Sequence, residues 1–171
     1  MEDVYMRQAS DSDFNAIWAI ILDAKLLMAE SGRTQWNDKY PDKWCVQQDI
    51  DRKKAYVLCY REEIVVYGVI LLNGEPEYDN LKKGQWLTKS DYYVVHRLAV
   101  SKKFRGLGLA MFFLNNVEKI AQRTGVKSIR VDTKNDNVQM LSILIKCGFH
   151  HCGTVSYPVN GDREVFEKVI Y

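Results

Sequence analysis

The apolar positions of this chain repeat with two different periods, which alternate along its length. Runs with a two-residue period, or with dense β-branched and aromatic residues, predict strands, and stripes at 3.6-residue spacing predict helices. The predicted strands cover residues 4–9, 55–60, 64–72, 92–100, 127–133, 151–157 and 164–170, and the predicted helices cover residues 14–30, 41–51, 110–121 and 138–147. This order indicates an α/β (α+β) fold, in which a mixed, twisted sheet of about seven strands carries helices on both faces.

Polar and glycine-containing segments mark where these elements begin and end. Ser10-Asp11-Ser12-Asp13 is a cap signal for the first helix, and Ser31-Gly32 ends it. Arg61-Glu62-Glu63 predicts a tight hairpin turn, and Asn160-Gly161-Asp162 predicts a second one. Residues 73–90 are predicted as a long polar loop.

The strand at Tyr92–Val100 leads into a glycine-rich turn and then into a helix. The turn reads Arg105-Gly106-Leu107-Gly108-Leu109-Ala110. Glycine lets the backbone approach a ligand closely, and the first amides of a helix lack intrahelical partners and point outward as donors. This order predicts a binding site for a phosphate anion. The alternative is a turn that merely joins the strand to the helix.

The turn departs from two familiar phosphate-binding signatures. The Walker-type loop ends in Gly-Lys-Ser/Thr, whereas Leu109 and Ala110 follow Gly108 here, and the dinucleotide fingerprint needs a third glycine in an early βαβ unit. The turn does match the pattern Arg/Gln-x-x-Gly-x-Gly/Ala. Through this pattern the chain resembles the GCN5-related N-acetyltransferase superfamily, whose loop binds the pyrophosphate of acyl-CoA.

Segments further along the chain extend the resemblance. The strand at residues 127–133 is followed by Asn137 at the start of a predicted helix, and Gly148-Phe149 closes that helix. This order and spacing are similar to those of the superfamily. The match is specific over about residues 92–150 and rests on architecture elsewhere. It predicts that residues 1–171 form a single N-acetyltransferase domain.

The resemblance implies transfer of an acetyl group from acetyl-CoA, as a cosubstrate, to a primary amine. In this family, backbone groups of the strand before the loop bind the pantetheine, beside a bulge that separates two strands. Main-chain amides there can polarise the thioester carbonyl. The cofactor-binding residues that the resemblance implies for this chain are Leu98, Ala99, Val100, Arg105, Gly106, Leu107, Gly108, Leu109, Ala110, Thr133 and Asn137.

His96 is the candidate catalytic residue. An amine must lose a proton before it can attack a thioester, and histidine is the natural general base near neutral pH. His96 lies four residues before Val100, where it resembles a catalytic-site histidine of the arylalkylamine N-acetyltransferases. The competing interpretation is a buried histidine that is satisfied by hydrogen bonds.

Leu144 departs from the family pattern. Many members carry a tyrosine at this place, seven residues after the asparagine, which protonates the departing thiolate. A thiol with a pKa of about 8.5 is a fair leaving group at neutral pH, so water could supply the proton; Cys147 is a remote alternative. The departure leaves a second hypothesis open, an acyl-CoA-binding regulatory or degenerate domain with little turnover.

The sequence says less about the acceptor site than about the cofactor site. The resemblance implies that the acceptor enters along the first helices and the loop before the motif strand. The candidate substrate-binding residues are Glu30, Trp36, Tyr78 and Tyr92, and Tyr40, Trp44, Glu75 and Glu77 lie in the same segments. Rings and carboxylates suit a cationic amine; the alternative buries the tryptophans in the core and leaves the glutamates in solvent. A peptide N-terminus, a polyamine, an aryl amine and an antibiotic all remain open as acceptors.

Composition narrows the class of protein. A net charge of +2 is too small to indicate nucleic-acid binding. Four cysteines without a Cys-x-x-Cys pair, and only three histidines, argue against a zinc site, so no metal is predicted. The longest apolar run, Ile64 to Leu72, has the length of a buried strand, and the acidic start of the chain is unlike a signal peptide. We therefore expect a reduced, cytoplasmic protein without a membrane partner, and a homodimer could form through the terminal hairpin.

Overall fold

The computed structural model describes residues 3–171. The strands in this range are β1 (Val4–Gln8), β2 (Ala55–Tyr60), β3 (Glu63–Leu72), β4 (Lys83–Gly84), β5 (Tyr92–Val100), β6 (Ser128–Thr133), β7 (His150–Tyr157) and β8 (Gly161–Val169). The α-helices are α1 (Phe14–Glu30), α2 (Lys43–Asp51), α3 (Leu109–Thr124) and α4 (Val138–Lys146). The predicted mixed α/β class is confirmed, with one strand more than the seven that were expected. Within this range, no helix has the length and apolar character needed to cross a membrane.

The chain divides into two compact units, and the first comprises the chain up to Ile70 together with Arg97–Phe113. In this unit β2 pairs antiparallel with β1 on one side and with β3 on the other. Strand β5 and helix α3 each run from one unit into the other along the chain. The fully buried side chains of the first unit include Ile17, Ile21, Val46, Val57, Leu58 and Tyr67. Burial of such side chains contributes about 1.5–3 kcal/mol each.

Side-chain caps decide where the first two helices begin. Ser10 and Asp13 form a capping box, which starts a short 3-10 turn directly before α1. The sequence predicted that the second helix begins at Pro41, but helix α2 begins at Lys43. The reason is that the carboxylate of Asp42 accepts a hydrogen bond from the amide of Cys45, at 2.7 Å, so Asp42 is the N-cap.

The second unit comprises Leu71–His96 and Leu114–Tyr171. The first residues of β5 pair parallel with β6, and β6 pairs antiparallel with β8. Strand β8 also pairs with β7, and β7 pairs with the short strand β4, both antiparallel. This register brings residues that are distant in sequence onto neighbouring strands, where they can interact directly.

Two boundaries in the second unit differ from the prediction. The predicted polar loop at residues 73–90 contains a 3-10 turn, Pro76–Asp79, and the strand β4. Strand β8 begins three residues earlier than predicted because Gly161 pairs with Tyr157, which moves the hairpin turn to residues 158–160. Turn residues such as glycine can extend a strand when the partner strand supplies the register.

Candidate active site

The glycine-rich turn has the backbone geometry of an anion-binding loop. Gly106 and Gly108 have φ angles of +81° and +74°. This left-handed conformation is unfavourable for residues that carry a side chain, and glycine adopts it readily. A Cβ built on either glycine meets no atom of the described chain within 4 Å, so the backbone there is open to a ligand. Helix α3 begins at Leu109, and its first amides follow directly after the turn.

Arg105 supplies a second observation for this loop. Its Nε donates to the carbonyl oxygen of Val100, at 3.3 Å. Its Nη2 is buried and has no hydrogen-bond partner within residues 3–171. An unpartnered buried donor costs about 1–3 kcal/mol, and an anion at the loop would offset that cost. The loop residues therefore fit a bound pyrophosphate.

Strand β5 changes its backbone direction at Arg97. This residue has a φ angle of +52°, within a strand whose other residues are extended. The amide of Ser101 donates to the carbonyl oxygen of Val65, at 2.9 Å, and Ala99 is buried. Arg97 directly precedes Leu98, and the bulge that the resemblance implied in this strand stays a prediction. A left-handed conformation at a residue other than glycine costs about 1–2 kcal/mol and persists only where its surroundings hold it.

A buried polar network holds Arg97 in this conformation. Its Nε and Nη2 donate to the two carboxylate oxygens of Asp49, at 2.8 and 2.6 Å, and its Nη1 donates to the hydroxyl of Tyr40, at 2.9 Å. The hydroxyl of Tyr67 donates to the same carboxylate, at 2.6 Å. Burial, and then the charge of Asp49, raise the pKa of Tyr67 well above its usual value. Tyr67 therefore remains a hydrogen-bond donor.

In the second unit, His96 lies between two carboxylates. Its Nε2 is 2.8 Å from Oε2 of Glu75, and its Nδ1 is 4.0 Å from Oδ2 of Asp132. The side chain of His96 is 16% exposed, so a solute can still reach it. If Nε2 carries the hydrogen that Glu75 accepts, Nδ1 keeps its lone pair free as a proton acceptor.

Asp132 accepts hydrogen bonds from two tyrosines. The hydroxyls of Tyr78 and Tyr157 donate to its Oδ2, at 2.8 and 3.1 Å. Burial raises the pKa of both tyrosines strongly, and the negative charge of Asp132 raises it further. Both hydroxyls therefore stay protonated and donate to Asp132, whose Oδ2 lies 4.0 Å from Nδ1 of His96.

Glu75 is also held in its charged form. Burial by itself would raise the pKa of Glu75, but the hydrogen bond and charge of His96, together with hydrogen bonds from the backbone at Glu77 and from Tyr157, lower that pKa below its ordinary value. Glu75 can therefore accept a hydrogen bond from Nε2 of His96, which leaves the lone pair at Nδ1. This arrangement suits a general base.

Glu75, His96 and Asp132 also form a group of potential metal ligands, because one ligand atom of each lies within 4.8 Å of the others. The carboxylates, however, face opposite ring nitrogens of His96. A single metal ion binds only one nitrogen of an imidazole. The contacts fit proton transfer better than metal binding, and the absence of a metal stays a prediction.

The four candidate acceptor residues have different surroundings. In the first unit, Glu30 is exposed at the end of α1, and Trp36 is buried. In the second unit, Tyr78 is buried with its hydroxyl on Asp132, so it reaches the His96 cluster indirectly. Tyr92 is half-buried, and the guanidinium carbon of Arg130 lies 3.8 Å from the centroid of the Tyr92 ring. Their contact with an acceptor stays a prediction.

The loop that carries Glu75 and Tyr78 is fastened to the sheet through Glu167. This fully buried carboxylate accepts hydrogen bonds from the amide of Leu87, at 2.5 Å, and from the hydroxyl of Thr88, at 2.7 Å. It also contacts Arg130, at 3.3 Å. The guanidinium of Arg130 lies 4.0 Å from the ring centroid of Trp86. A buried ion pair with these added hydrogen bonds resists opening, because either partner alone would be an unpaired buried charge.

Thr133, Asn137 and Leu144 lie at the end of β6, at the start of α4 and within α4. Thr133 is buried at the end of β6. The side chain of Asn137 caps α4 by accepting a hydrogen bond from the amide of Met140, at 3.3 Å. Leu144, at the place of the family tyrosine, is fully buried, and burial raises the pKa of Cys147. A buried thiol with a raised pKa is a poor proton donor.

Sequence reasoning missed Asp132, Tyr157 and Asp49 as parts of these networks. One signal was present for Asp132. Strand β6 alternates Ser128, Arg130 and Asp132 with apolar residues, and a strand whose polar residues share one face in a buried sheet indicates a polar site. Asp49 gave no such signal, because an acidic residue in a short helix is ordinary.

A glycine-rich loop at the start of a helix is typical of proteins that bind an anionic cofactor. The model of the acetyltransferase (GNAT) family matches residues 17–149. This span is more than half of the chain. The chain belongs to the GNAT family.

Solved structures agree with this assignment. A GNAT-family acetyltransferase from Streptococcus agalactiae has a TM-score of 0.89 at 31% identity, over 98% of this chain and 96% of that one. One from Listeria monocytogenes has a TM-score of 0.76 at 23% identity, over 98% and 95% of the two chains. A ribosomal-protein-alanine N-acetyltransferase from Brucella melitensis has a TM-score of 0.70 at 18% identity, over 97% and 99%. The last two likenesses concern the fold alone.

Proposed function

We propose that this protein transfers an acetyl group from acetyl-CoA to a primary amine of a small molecule or peptide, by direct attack of the amine. The observation that carries the proposal is the pairing of His96 with Glu75, at 2.8 Å, while Nδ1 of His96 faces Asp132. A lysine-like amine has a pKa of about 10.4, so its deprotonation costs about 4–5 kcal/mol at neutral pH. A positioned base lowers that cost.

His96 would accept the proton of the amine at Nδ1. Glu75 would hold the ring in the tautomer that carries hydrogen on Nε2, and Asp132 would stabilise the imidazolium that forms. Tyr78 and Tyr157 keep Asp132 in place through their hydroxyls. The same two carboxylates would attract a cationic amine before it loses its proton.

The loop from Arg105 to Ala110 would hold the pyrophosphate of acetyl-CoA. Its support is the unpartnered Nη2 of Arg105 and the open, left-handed backbone at Gly106 and Gly108. Acetyl-CoA supplies a thioester, whose acyl carbon accepts the amine. Leu98, Ala99 and Val100 would bind the pantetheine through their backbone, and Thr133 and Asn137 stay proposed contacts from the resemblance.

The second candidate is an acyl-CoA-binding domain with little turnover. Leu144 favours it, because a fully buried leucine cannot protonate a thiolate. Under the first proposal, water serves as the proton source, since CoA thiol has a pKa of about 8.5 and leaves readily as thiolate.

Release of free thiol from acetyl-CoA, measured with a panel of primary amines, tests the proposal. We expect amine-dependent thiol release, with a stoichiometric acetylamine product by mass spectrometry. His96→Gln should lower kcat by about 10²–10⁴-fold, the typical contribution of a general base, while calorimetric affinity for acetyl-CoA stays unchanged. Tight acetyl-CoA binding without thiol release for any amine would favour the second candidate. An unchanged rate in His96→Gln would make His96 structural.

A cytoplasmic location and a homodimer through the terminal hairpin stay predictions from the sequence. The sequence left several classes of acceptor open, and the charge of the acceptor is the only property that selects among them here. Two carboxylates beside His96 favour an acceptor that is a cation in solution.

A further inference from the structure

Arg163 on β8 is a buried cation with free donors. It is 4% exposed, and its Nε and Nη1 are buried without a hydrogen-bond partner among the residues that the structure describes. Each unsatisfied buried donor is costly, and an unpaired buried charge is more so. Buried polar groups in native proteins are almost always satisfied, so these donors indicate a partner outside residues 3–171.

The register of the sheet places Arg163 on the side of the His96 cluster. Arg163 pairs with Val155 on β7, and side chains two residues apart on a strand point to the same face. Tyr157 therefore shares the face of Arg163. The guanidinium carbon of Arg163 is 5.6 Å from the centroid of the Tyr157 ring.

Tyr157 connects this cation to the two carboxylates. Its hydroxyl donates to Oδ2 of Asp132, at 3.1 Å, and also interacts with Glu75. The positive charge of Arg163 thus lies beside the ring of Tyr157, and the negative charges lie at its hydroxyl end. Opposite charges that are separated by one side chain, and not paired with each other, are complementary to a ligand with two opposite charges.

We propose that Arg163 binds a carboxylate of the acceptor, so that the acceptors are short amino acids whose primary amine faces His96. This inference rests on the proposed function. The amine end would meet Glu75 and Asp132, and the carboxylate end would meet the free donors of Arg163. Arginine suits a carboxylate because its planar group presents several donors and always carries a charge.

The test compares pairs of primary amines that differ only in a terminal carboxylate or carboxamide. For the wild type we expect kcat/KM to favour the carboxylate by about 10- to 100-fold, the range of charged hydrogen bonds. Arg163→Met should remove this preference and leave the carboxamide rate within about threefold. Arg163→Lys should keep part of it. Equal use of both amines by the wild type, or a preference that survives in Arg163→Met, overturns the inference.

Lys168→Met is the matched control. Lys168 lies on the same strand but alternates to the opposite face, where it pairs with Glu118. This variant removes one positive charge and should keep the full preference for the carboxylate. Loss of the preference in Lys168→Met would show a general charge effect and overturn the assignment to Arg163.

Two further measurements distinguish a substrate-binding role of Arg163 from a structural role and from a role in cofactor binding. Arg163→Met should unfold at the same temperature as the wild type or above it, because it removes an unpaired buried charge; a clear loss of stability would make Arg163 structural. Acetyl-CoA affinity should not change, and a large loss would assign the anion to the cofactor. If the wild type acetylates no amine, the proposed function fails, and calorimetry with the carboxylate and carboxamide amines alone still tests Arg163.

Discussion

Arg97 and Asp49 form a two-pronged ion pair around a strained backbone. Nε and Nη2 of Arg97 lie 2.8 and 2.6 Å from the two oxygens of Asp49, and Arg97 has a φ angle of +52°. The pair holds the left-handed backbone of β5 directly before Leu98. The cost of a left-handed arginine is thus offset by a buried network around its own side chain.

Asp49→Asn is expected to destabilise the protein by about 3–5 kcal/mol in urea unfolding, because it leaves the charge of Arg97 buried without a counterion. It should also weaken acetyl-CoA binding by relaxing the left-handed backbone at Arg97, which directly precedes the proposed pantetheine contacts. The control is Tyr40→Phe, which removes a single hydrogen bond and keeps the ion pair; its cost should be about 1 kcal/mol. Equal effects of the two variants would contradict this role of Asp49.

Glu75→Gln is expected to lower the kcat of acetyl transfer. The carboxylate of Glu75 lies 2.8 Å from Nε2 of His96 and accepts its hydrogen, which keeps Nδ1 as the proton acceptor. A glutamine can present either its oxygen or its NH2 group to the ring, so the tautomer is fixed less firmly and kcat should fall by about tenfold in the thiol-release assay. The control Glu77→Gln changes a residue that reaches Glu75 through its backbone. An unchanged kcat in Glu75→Gln would remove Glu75 from the mechanism.

Gly108→Leu and Gly125→Leu form a matched pair. Both glycines have nearly the same φ angle, +74° and +76°, and a Cβ at either would meet no described atom within 4 Å. Each substitution should cost about 1–2 kcal/mol of stability through the same backbone strain. Only Gly108→Leu should abolish calorimetric binding of acetyl-CoA. Parallel losses of affinity in both variants would indicate strain alone and not a phosphate-binding loop.

Asp13 should make stability depend on pH at the acid end. Hydrogen bonds from Arg7, against the effect of burial, lower the pKa of Asp13 from 3.8 to about 2. Its contribution is full above its unfolded pKa and is lost as pH falls through the folded one. Because Arg7 is partly exposed, we expect Asp13→Asn to cost about 1–2 kcal/mol at pH 7. Urea unfolding should show about half that difference near pH 3. A constant difference between pH 7 and 3 would exclude this linkage.

Glu167→Ala should loosen the loop that carries Glu75. The substitution leaves Arg130 without its buried counterion, which costs about 3–5 kcal/mol, and frees the amide of Leu87 and the hydroxyl of Thr88. Hydrogen exchange should therefore quicken at residues 86–90. Glu164→Ala, on the same strand, removes only a partly exposed contact with His151 and should cost less than about 1 kcal/mol. Unchanged exchange in Glu167→Ala would show that the loop is held by other contacts.

The parts of the fold that are coded locally could be predicted from sequence. The end of α1 before Gly32 and the start of α3 after Gly108 depend on glycines that take φ angles of +69° and +74°. Helix and strand periods are similarly local. The start of α2 and the short strand β4 were missed, because one depends on a cap at Asp42 and the other on pairing with β7.

The sequence by itself determined the strand, glycine loop and helix of the proposed donor site, because these are contiguous residues whose conformations follow from their own chemistry. Only the tertiary structure decided what surrounds His96. Glu75 and Asp132 are far from it along the chain, and a loop and a parallel strand bring them to its two ring nitrogens. The two unpartnered donors of Arg163, Nε and Nη1, were equally invisible, since whether a donor finds a partner within residues 3–171 is a property of the folded neighbourhood and not of any residue pattern.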